Sequence, residues 1–285
     1  MAAQLLDGKA LAGQIRKEIA DEVAHFSEQH GRPPALVVVR AGEDPASVSY
    51  ARMLVRSCEQ TGMSFQPHLY PSDAGEERLV HLVRDLSLDP GVDGIIVQEP
   101  LPKGVGAEAV VSALDPGKDV DGVHPANAGR LMQAAGSYFA PATPLGGIEL
   151  LDRYGIAFQG KRAVVVGRSN VVGRPMALLL LHRHATVTIC HSRTLGLADE
   201  CRRAEILVAA TGKAGLISGD MVASGAVVVD FGVNFVDGQM VGDVDFAAAK
   251  ERAAWITPVP GGTGPMTNMM LLRNVLAAGR MRHTS

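Results

Sequence analysis

The sequence predicts an α/β protein of two domains: an N-terminal α/β domain, then a doubly wound parallel sheet. Three observations carry this expectation. Short apolar runs of strand length alternate with segments of helical periodicity, and the alternation restarts near residues 141–147. A turn bounded by glycines, Gly167-Arg168-Ser169-Asn170-Val171-Val172-Gly173, follows the apolar run at 163–166 and leads into an apolar helical segment. Strands and helices in alternation bury a parallel sheet on both of its faces.

In the first domain, Leu11, Ile15, Ile19, Val23 and Phe26 recur at helical spacing and stop before Gly31 and Pro33-Pro34, so an amphipathic helix is expected there. Residues 35–39 form an apolar strand. Asp44-Pro45 opens a helix that runs to about residue 61, with Gly62 as its stop. Residues 63–70 read as a strand, 76–88 as a helix with Leu79, Leu82, Val83 and Leu86 on one face, and 92–98 as a strand. The second series gives helices at 146–153 and 176–183 and strands at 161–166, 186–190, 206–210 and 227–230, with a last short strand at 255–256. The expected boundaries are 1–140 for the first domain and 141–265 for the nucleotide domain. The final segment, 266–285, has apolar residues at helical spacing and is expected to pack back on the first domain.

The bulk numbers exclude several classes. The chain has 285 residues, net charge −3, 47% hydrophobic and 20% charged residues, which leaves no strong field for nucleic acid or a membrane surface. No apolar run approaches the roughly 18–20 residues of a membrane span. Cys58, Cys190 and Cys201 are isolated, and the histidines are not grouped with cysteines or carboxylates, so neither a disulfide framework nor a metal site is expected. Residues 1–7 lack a basic region followed by an apolar core, and a cytoplasmic protein is expected.

The glycine turn carries the first chemical inference. A strand that turns through glycine into a helix aims backbone N–H groups and the positive helix end at a phosphate, as in a Rossmann-type nucleotide domain. The Gly-x5-Gly spacing departs from G-x-G-x-x-G. The second strand of this domain ends in His191-Ser192-Arg193-Thr194, with no carboxylate for a ribose 2′-hydroxyl. A hydroxyl and a guanidinium suit a 2′-phosphate, and Arg168 adds a second cation, so NADP is expected over NAD. Gly212-Lys213 and Gly232-Val233-Asn234 follow two further strands; they read equally as cofactor approaches or as turn punctuation.

The remaining motifs are Gly42-Glu43-Asp44-Pro45-Ala46-Ser47-Val48-Ser49-Tyr50, Gly94-Ile95-Ile96-Val97-Gln98-Glu99-Pro100-Leu101-Pro102, Lys118-Asp119-Val120-Asp121-Gly122 running on to Leu131, and Thr257-Pro258-Val259-Pro260-Gly261-Gly262-Thr263-Gly264-Pro265-Met266-Thr267. With the glycine turn, these blocks resemble, in order and from about residue 5 to 276, the methylenetetrahydrofolate dehydrogenase/cyclohydrolase (FolD) family. The resemblance implies a homodimer of two-domain subunits with a folate cleft between the domains. It implies NADP-linked oxidation of 5,10-methylenetetrahydrofolate to the 5,10-methenyl form, and in bifunctional members hydrolysis to 10-formyltetrahydrofolate.

By the same resemblance, Tyr50 would stack on the folate ring, Gln98 would stand near the reacting centre and Asp121 would accept from the pterin amino group and ring N–H. Pro100, Leu101, Gly261, Gly262 and Pro265 would line the substrate site; Gly167, Arg168, Ser169, Gly173, Ser192, Arg193 and Val233 would hold the cofactor. Taken alone, Tyr50 reads equally as a helix packing residue, and Asp121 as the turn residue of Asp-Gly. The chain departs from the family pattern at Leu54, where the family has a lysine one helical turn from the tyrosine. Glu99, Ala142 and Thr263 are smaller departures. Leu54 has no titratable atom, so dehydrogenase activity with weak or absent cyclohydrolase activity is expected. The alternatives are a relative acting on another C–N bond and a non-catalytic folate- and NADP-binding protein.

Overall fold

The computed structural model describes residues 2–283. The chain starts with a two-residue strand, β1 (Gln4–Leu5), and a long helix, α1 (Gly8–His30). Contacts divide the protein into two compact units: a first, made of Gln14–Ala142 and the chain from Asn268 on, and a second, made of the residues up to Gly13 and Thr143–Thr267. The expected first boundary is thus corrected at its start. β1 pairs in parallel with a late strand (Trp255–Ile256), which assigns the residues before Gln14 to the second unit. Both β1 side chains are exposed, so the strand has no alternation for the sequence to display.

The first unit holds a three-stranded parallel sheet in the order β3-β2-β4, built from β2 (Ala35–Ala41), β3 (Ser64–Tyr70) and β4 (Gly94–Val97). β2 is central and buried at every position, which is why it reads as a continuous apolar run. Val37, Val39 and Ala41 share a core with Leu79, Val83 and Leu86 of α3 (Glu76–Leu88). α2 (Pro45–Thr61) matches its expected bounds. The Asp44 carboxylate accepts from Ser47 N (2.9 Å) at one end, and Gly62 closes the other in the left-handed region at φ 78°. Two short helices, α4 (Ala107–Ser112) and α5 (Pro125–Gln133), complete this part.

A partly buried ion pair locks the base of this sheet. Arg32 donates to both oxygens of Asp93 (2.6 and 2.9 Å), and Ala35 N donates to the same carboxylate (2.8 Å). Asp93 is fully buried. Asp93→Ala removes the guanidinium's charged partner, leaves the Ala35 amide without its acceptor and is expected to destabilise the unit by about 2 kcal/mol. The check is a lowered urea midpoint at unchanged slope.

The second unit carries a six-stranded sheet in the order β1-β11-β8-β7-β5-β6, every neighbouring pair parallel. Its strands are β5 (Arg162–Val166), β6 (Thr186–Cys190), β7 (Ile206–Ala209), β8 (Val227–Asp230) and β11 (Trp255–Ile256), with α6 (Ala142–Arg153), α7 (Gly173–His182), α8 (Leu197–Arg202) and α9 (Phe246–Lys250) between them. From β5 the chain moves out to β6 and returns past β5 to β7. That reversal opens a crevice at the carboxyl ends of β5 and β7. A hairpin, β9 (Asn234–Val236) and β10 (Gln239–Val241), turns through Asp237-Gly238, both at positive φ. The last helix, α10 (Thr263–His283), starts before the expected position; from Asn268 onward it belongs to the first unit, where Asn274 Nδ2 donates to Val120 O (2.8 Å). Residues 284 and 285 of the expected final segment lie outside the described residues. Among the described residues, no helix is long and apolar enough to cross a membrane.

Candidate functional site

In the first unit the candidate residues gather at the carboxyl ends of β2 and β4. One face of α2 carries Ser47, Tyr50, Leu54, Ser57, Cys58 and Thr61, a spacing that keeps them on one side of the helix. Ser47 joins this face to the end of β4. Its hydroxyl donates to Glu99 O (2.7 Å), and its carbonyl accepts from Gln98 Nε2 (3.1 Å). The Gln98 amide is thereby fixed in orientation, and its Oε1 is buried without a hydrogen-bond partner among the described residues. A buried acceptor of this kind calls for a donor from a ligand.

Asp121 reaches the same end of the sheet through a short extension. Ile95 N donates to Lys118 O, and Ile95 pairs in parallel with Asp119. Buried Lys118 anchors the segment from behind, donating through Nζ to Leu86 O (2.9 Å) and Asp89 O (2.6 Å), and desolvation brings it down to about 8. The Asp119 carboxylate accepts from Val123 N (3.1 Å), His124 N (2.8 Å) and Asn127 Nδ2 (2.8 Å), which shapes the loop that follows Asp121.

The field at this half-site is acidic. Dense protein surroundings desolvate Asp121 and push it up to about 7; the neighbouring Asp119 and Glu99 charges push in the same direction. Burial, and then the Asp121 charge, raise the Tyr50 phenol. Leu54 is fully buried on the Tyr50 face and adds no charge. Pro100 and Leu101 continue from Gln98-Glu99, so Tyr50, Gln98, Pro100, Leu101 and Asp121 all belong to this unit. Gly261, Gly262 and Pro265 do not; they follow β11 in the second unit.

The second unit builds its half-site on the crevice side of the sheet. The turn after β5 sits against the end of β7: a Cβ on Gly167 would lie 2.1 Å from Ala210 O, and one on Gly173 would lie 2.2 Å from Gly167 O. Only glycine allows the strand, turn and helix to approach this closely. α7 starts at Gly173, three residues before the expected position, so the turn runs directly into the helix. Ser169 Oγ accepts from Val172 N (3.2 Å) and Gly173 N (3.3 Å), which braces the turn against the start of that helix. Beyond β6, His191 N donates to Thr194 Oγ1 (2.9 Å) and Arg193 N to His191 Nδ1 (3.1 Å), a tight loop that leaves Ser192 and Arg193 exposed. Gly167 N donates to Cys190 O (2.9 Å), so the two turns are neighbours and Arg168, Ser192 and Arg193 share one strand end. Arg174, held by Asn170 Oδ1 (2.8 Å), adds a cation that the sequence reading did not single out. Val233 follows β8 and is exposed.

The departures from the motif separate into two kinds. Ala142 and Thr263 are buried, and the Thr263 hydroxyl donates to Asp230 O (3.0 Å) inside the second unit, so both are packing residues. Leu54 and Glu99 belong to the Tyr50–Gln98–Asp121 cluster.

A sheet reversal at a glycine turn, with guanidinium groups beside it, defines an α/β protein of the dinucleotide-binding class. Family models match both parts of the chain: the tetrahydrofolate dehydrogenase/cyclohydrolase catalytic domain over residues 6–121 and the NAD(P)-binding domain of the same family over 141–283. The chain belongs to this family. It is 52% identical over 283 residues to the bifunctional protein FolD of Chloroflexus aurantiacus, covering 99% of each chain. Its structure resembles the bifunctional FolD dehydrogenase/cyclohydrolase of Campylobacter jejuni, with a TM-score of 0.96 and 40% identity over 99% of this chain and 100% of that one. It also resembles the Trypanosoma brucei methylenetetrahydrofolate dehydrogenase-cyclohydrolase solved with NADP and an inhibitor, with a TM-score of 0.94 and 36% identity over the whole of both chains.

Proposed function

We propose that this chain is an NADP-dependent 5,10-methylenetetrahydrofolate dehydrogenase whose cyclohydrolase activity is weak or absent. The observation that carries the reading is the buried α2 face: Tyr50 stands beside a hydrocarbon, Leu54, next to an oriented Gln98 and an acidic Asp121. The family membership and the named activities of the relatives support the dehydrogenase half. The uncharged Leu54 in the family's lysine position, beside an Asp121 whose charged neighbours Asp119 and Glu99 are acidic, supports the loss of the second half. The relatives' names and the intact Tyr50–Gln98–Asp121 cluster favour folate over a different C–N substrate.

Each residue has work suited to its chemistry. The Tyr50 ring offers a flat face to a flat heterocycle, and the Asp121 carboxylate offers two acceptors to the two-donor edge of a pterin. Gln98 Oε1 accepts from the substrate. Arg168, Ser192 and Arg193 hold a 2′-phosphate, and the backbone of the glycine turn ahead of α7 takes the pyrophosphate. Bound NADP supplies the hydride acceptor. Oxidation needs little more from the protein than two rings held face to face, because the substrate nitrogen lone pair expels the hydride. Hydrolysis is different: water must lose a proton, and Leu54 can take none. Purified protein assayed separately for NADPH formation and for methenyltetrahydrofolate hydrolysis tests the reading. NADPH should form while hydrolysis stays at the spontaneous rate; hydrolysis well above that rate would defeat the second half.

A pH dependence follows from Asp121. With its carboxyl raised to about 7, the group is neutral below that pH and competes as a donor against the pterin N–H groups. Above it, the carboxylate accepts from both. The KM for methylenetetrahydrofolate is therefore expected to fall as pH rises through about 7, with kcat changed less. For stability the sign is the reverse. The folded protein disfavours the charged form, so this group's contribution declines as pH rises from its ordinary value of 3.8 toward about 7.

A further inference from the structure

Asp243 is fully buried in the second unit and has no place in the scheme above. Its carboxylate accepts four hydrogen bonds. Thr211 N and Gly212 N (3.0 Å) donate to Oδ2; Lys213 N (2.9 Å) and Asn234 Nδ2 (3.0 Å) donate to Oδ1. Three consecutive backbone N–H groups turned to one point form an anion-binding nest, and here a side chain of the protein fills it. The residue is itself held by a second carboxylate. Asp230, the last residue of β8, accepts from Gly232 N (2.7 Å), Asp243 N (3.1 Å) and Val244 N (2.9 Å). The packing leaves no slack: a Cβ on Gly232 would lie 2.4 Å from Asp243 Oδ1.

These bonds join the loop after β7, Thr211-Gly212-Lys213, to the loop after β8 that carries Val233 and Asn234. Both loops lie at carboxyl ends of strands. In a sheet of this winding the pyrophosphate sits at the β5 turn and the 2′-substituted ribose lies toward β6. The other half of a dinucleotide therefore extends over β7 and β8. Peptide planarity adds a consequence. With Gly212 N and Lys213 N turned to Asp243, the carbonyls of Thr211 and Gly212 face the opposite way, as acceptors a carboxamide can use.

We propose that Asp243 is the positioning residue of the nicotinamide half of the cofactor site, tying the β7 and β8 loops into one rigid edge. The proposal rests on the NADP reading above. In Asp243→Asn, an NH2 group replaces one acceptor and faces N–H donors, so the nest opens and the two loops separate. Asn234→Ala removes one of the bonds between the loops, the Asn234–Asp243 hydrogen bond, without burying a new group.

The experiment is calorimetric titration of wild type and both variants with NADP and with adenosine 2′,5′-bisphosphate, which lacks the nicotinamide half, alongside KM and kcat. Asp243→Asn is expected to bind NADP about tenfold or more weakly. Asn234→Ala is expected to show a smaller loss in the same direction. Both should bind the bisphosphate as wild type does and keep the wild-type folate KM. Equal weakening toward both nucleotides would make Asp243 a general structural residue and overturn the proposal, as would wild-type NADP affinity in the variants. If Asp243→Asn does not fold, Asn234→Ala decides alone by the same comparison. A wild-type chain that binds neither nucleotide overturns the cofactor reading and this proposal with it; one that binds both, with unaffected variants, overturns this proposal only.

Discussion

Leu54→Lys is expected to raise methenyltetrahydrofolate hydrolysis by about 10²-fold or more over the unmodified chain, the usual worth of one well-placed acid–base group. Position 54 lies one turn from Tyr50 on the buried face of α2, and that face reaches Gln98 through Ser47. An amine introduced there enters poorly solvated surroundings, which lower its affinity for a proton and bring it nearer to neutrality, where a base is useful. Some stability is lost, on the order of 1–3 kcal/mol, because a fully buried hydrocarbon is replaced by a polar group. Leu54→Met is the control: similar volume, no proton, and no gain in hydrolysis. NADPH formation should change little in either variant, since hydride expulsion does not draw on this side chain. A folded Leu54→Lys protein that hydrolyses no faster than the parent would remove Leu54 from the explanation of the missing activity.

Much of the scaffold was visible in the chain because its elements obey one period at a time. The 45–61 helix lies where Asp44-Pro45 and Gly62 put its ends, and the 76–88 helix and the 227–230 strand lie where apolar spacing puts them; the 186–190 strand is in place but, expected as buried, is an edge strand with only Cys190 buried. Elements too short to show a period escaped: β1, with two exposed side chains, and α4 and α8, each six residues long. α5 was hidden inside a motif read for its chemistry, although His124-Pro125 carries both a cap and a first-turn proline. The β9–β10 hairpin had a readable signal, Asp237-Gly238, the pair a tight two-residue turn favours. The glycine turn, Ser192-Arg193 and the Tyr50–Leu54 face were legible as local pattern. Ser47 and Asp243 were not, because their roles consist of hydrogen bonds between segments far apart in sequence; Asp119 was not, because its bonds to Val123, His124 and Asn127 shape an irregular loop with no period to read. Thr263 shows the converse: a substitution inside a functional motif whose hydroxyl is spent on Asp230 O.

Asp121→Asn separates recognition of the pterin from everything else the protein does. The carboxylate can accept from the amino group and the ring N–H together, a charge-assisted pair of bonds. The amide keeps one acceptor and turns a donor toward the second N–H. Losing one charged bond and opposing two donors costs about 3 kcal/mol, or roughly a 10²-fold rise in the KM for methylenetetrahydrofolate. NADP affinity should stay at the wild-type value, because the cofactor residues belong to the other unit. The pH profile gives the sharper result. If Asp121 is the group that titrates at about 7, the fall in KM through that pH disappears in the asparagine variant, and the Tyr50 phenol, relieved of a neighbouring charge, becomes easier to ionise. A profile that keeps its inflection would show that Asp121 is not the group behind it and would overturn this account of the pH dependence.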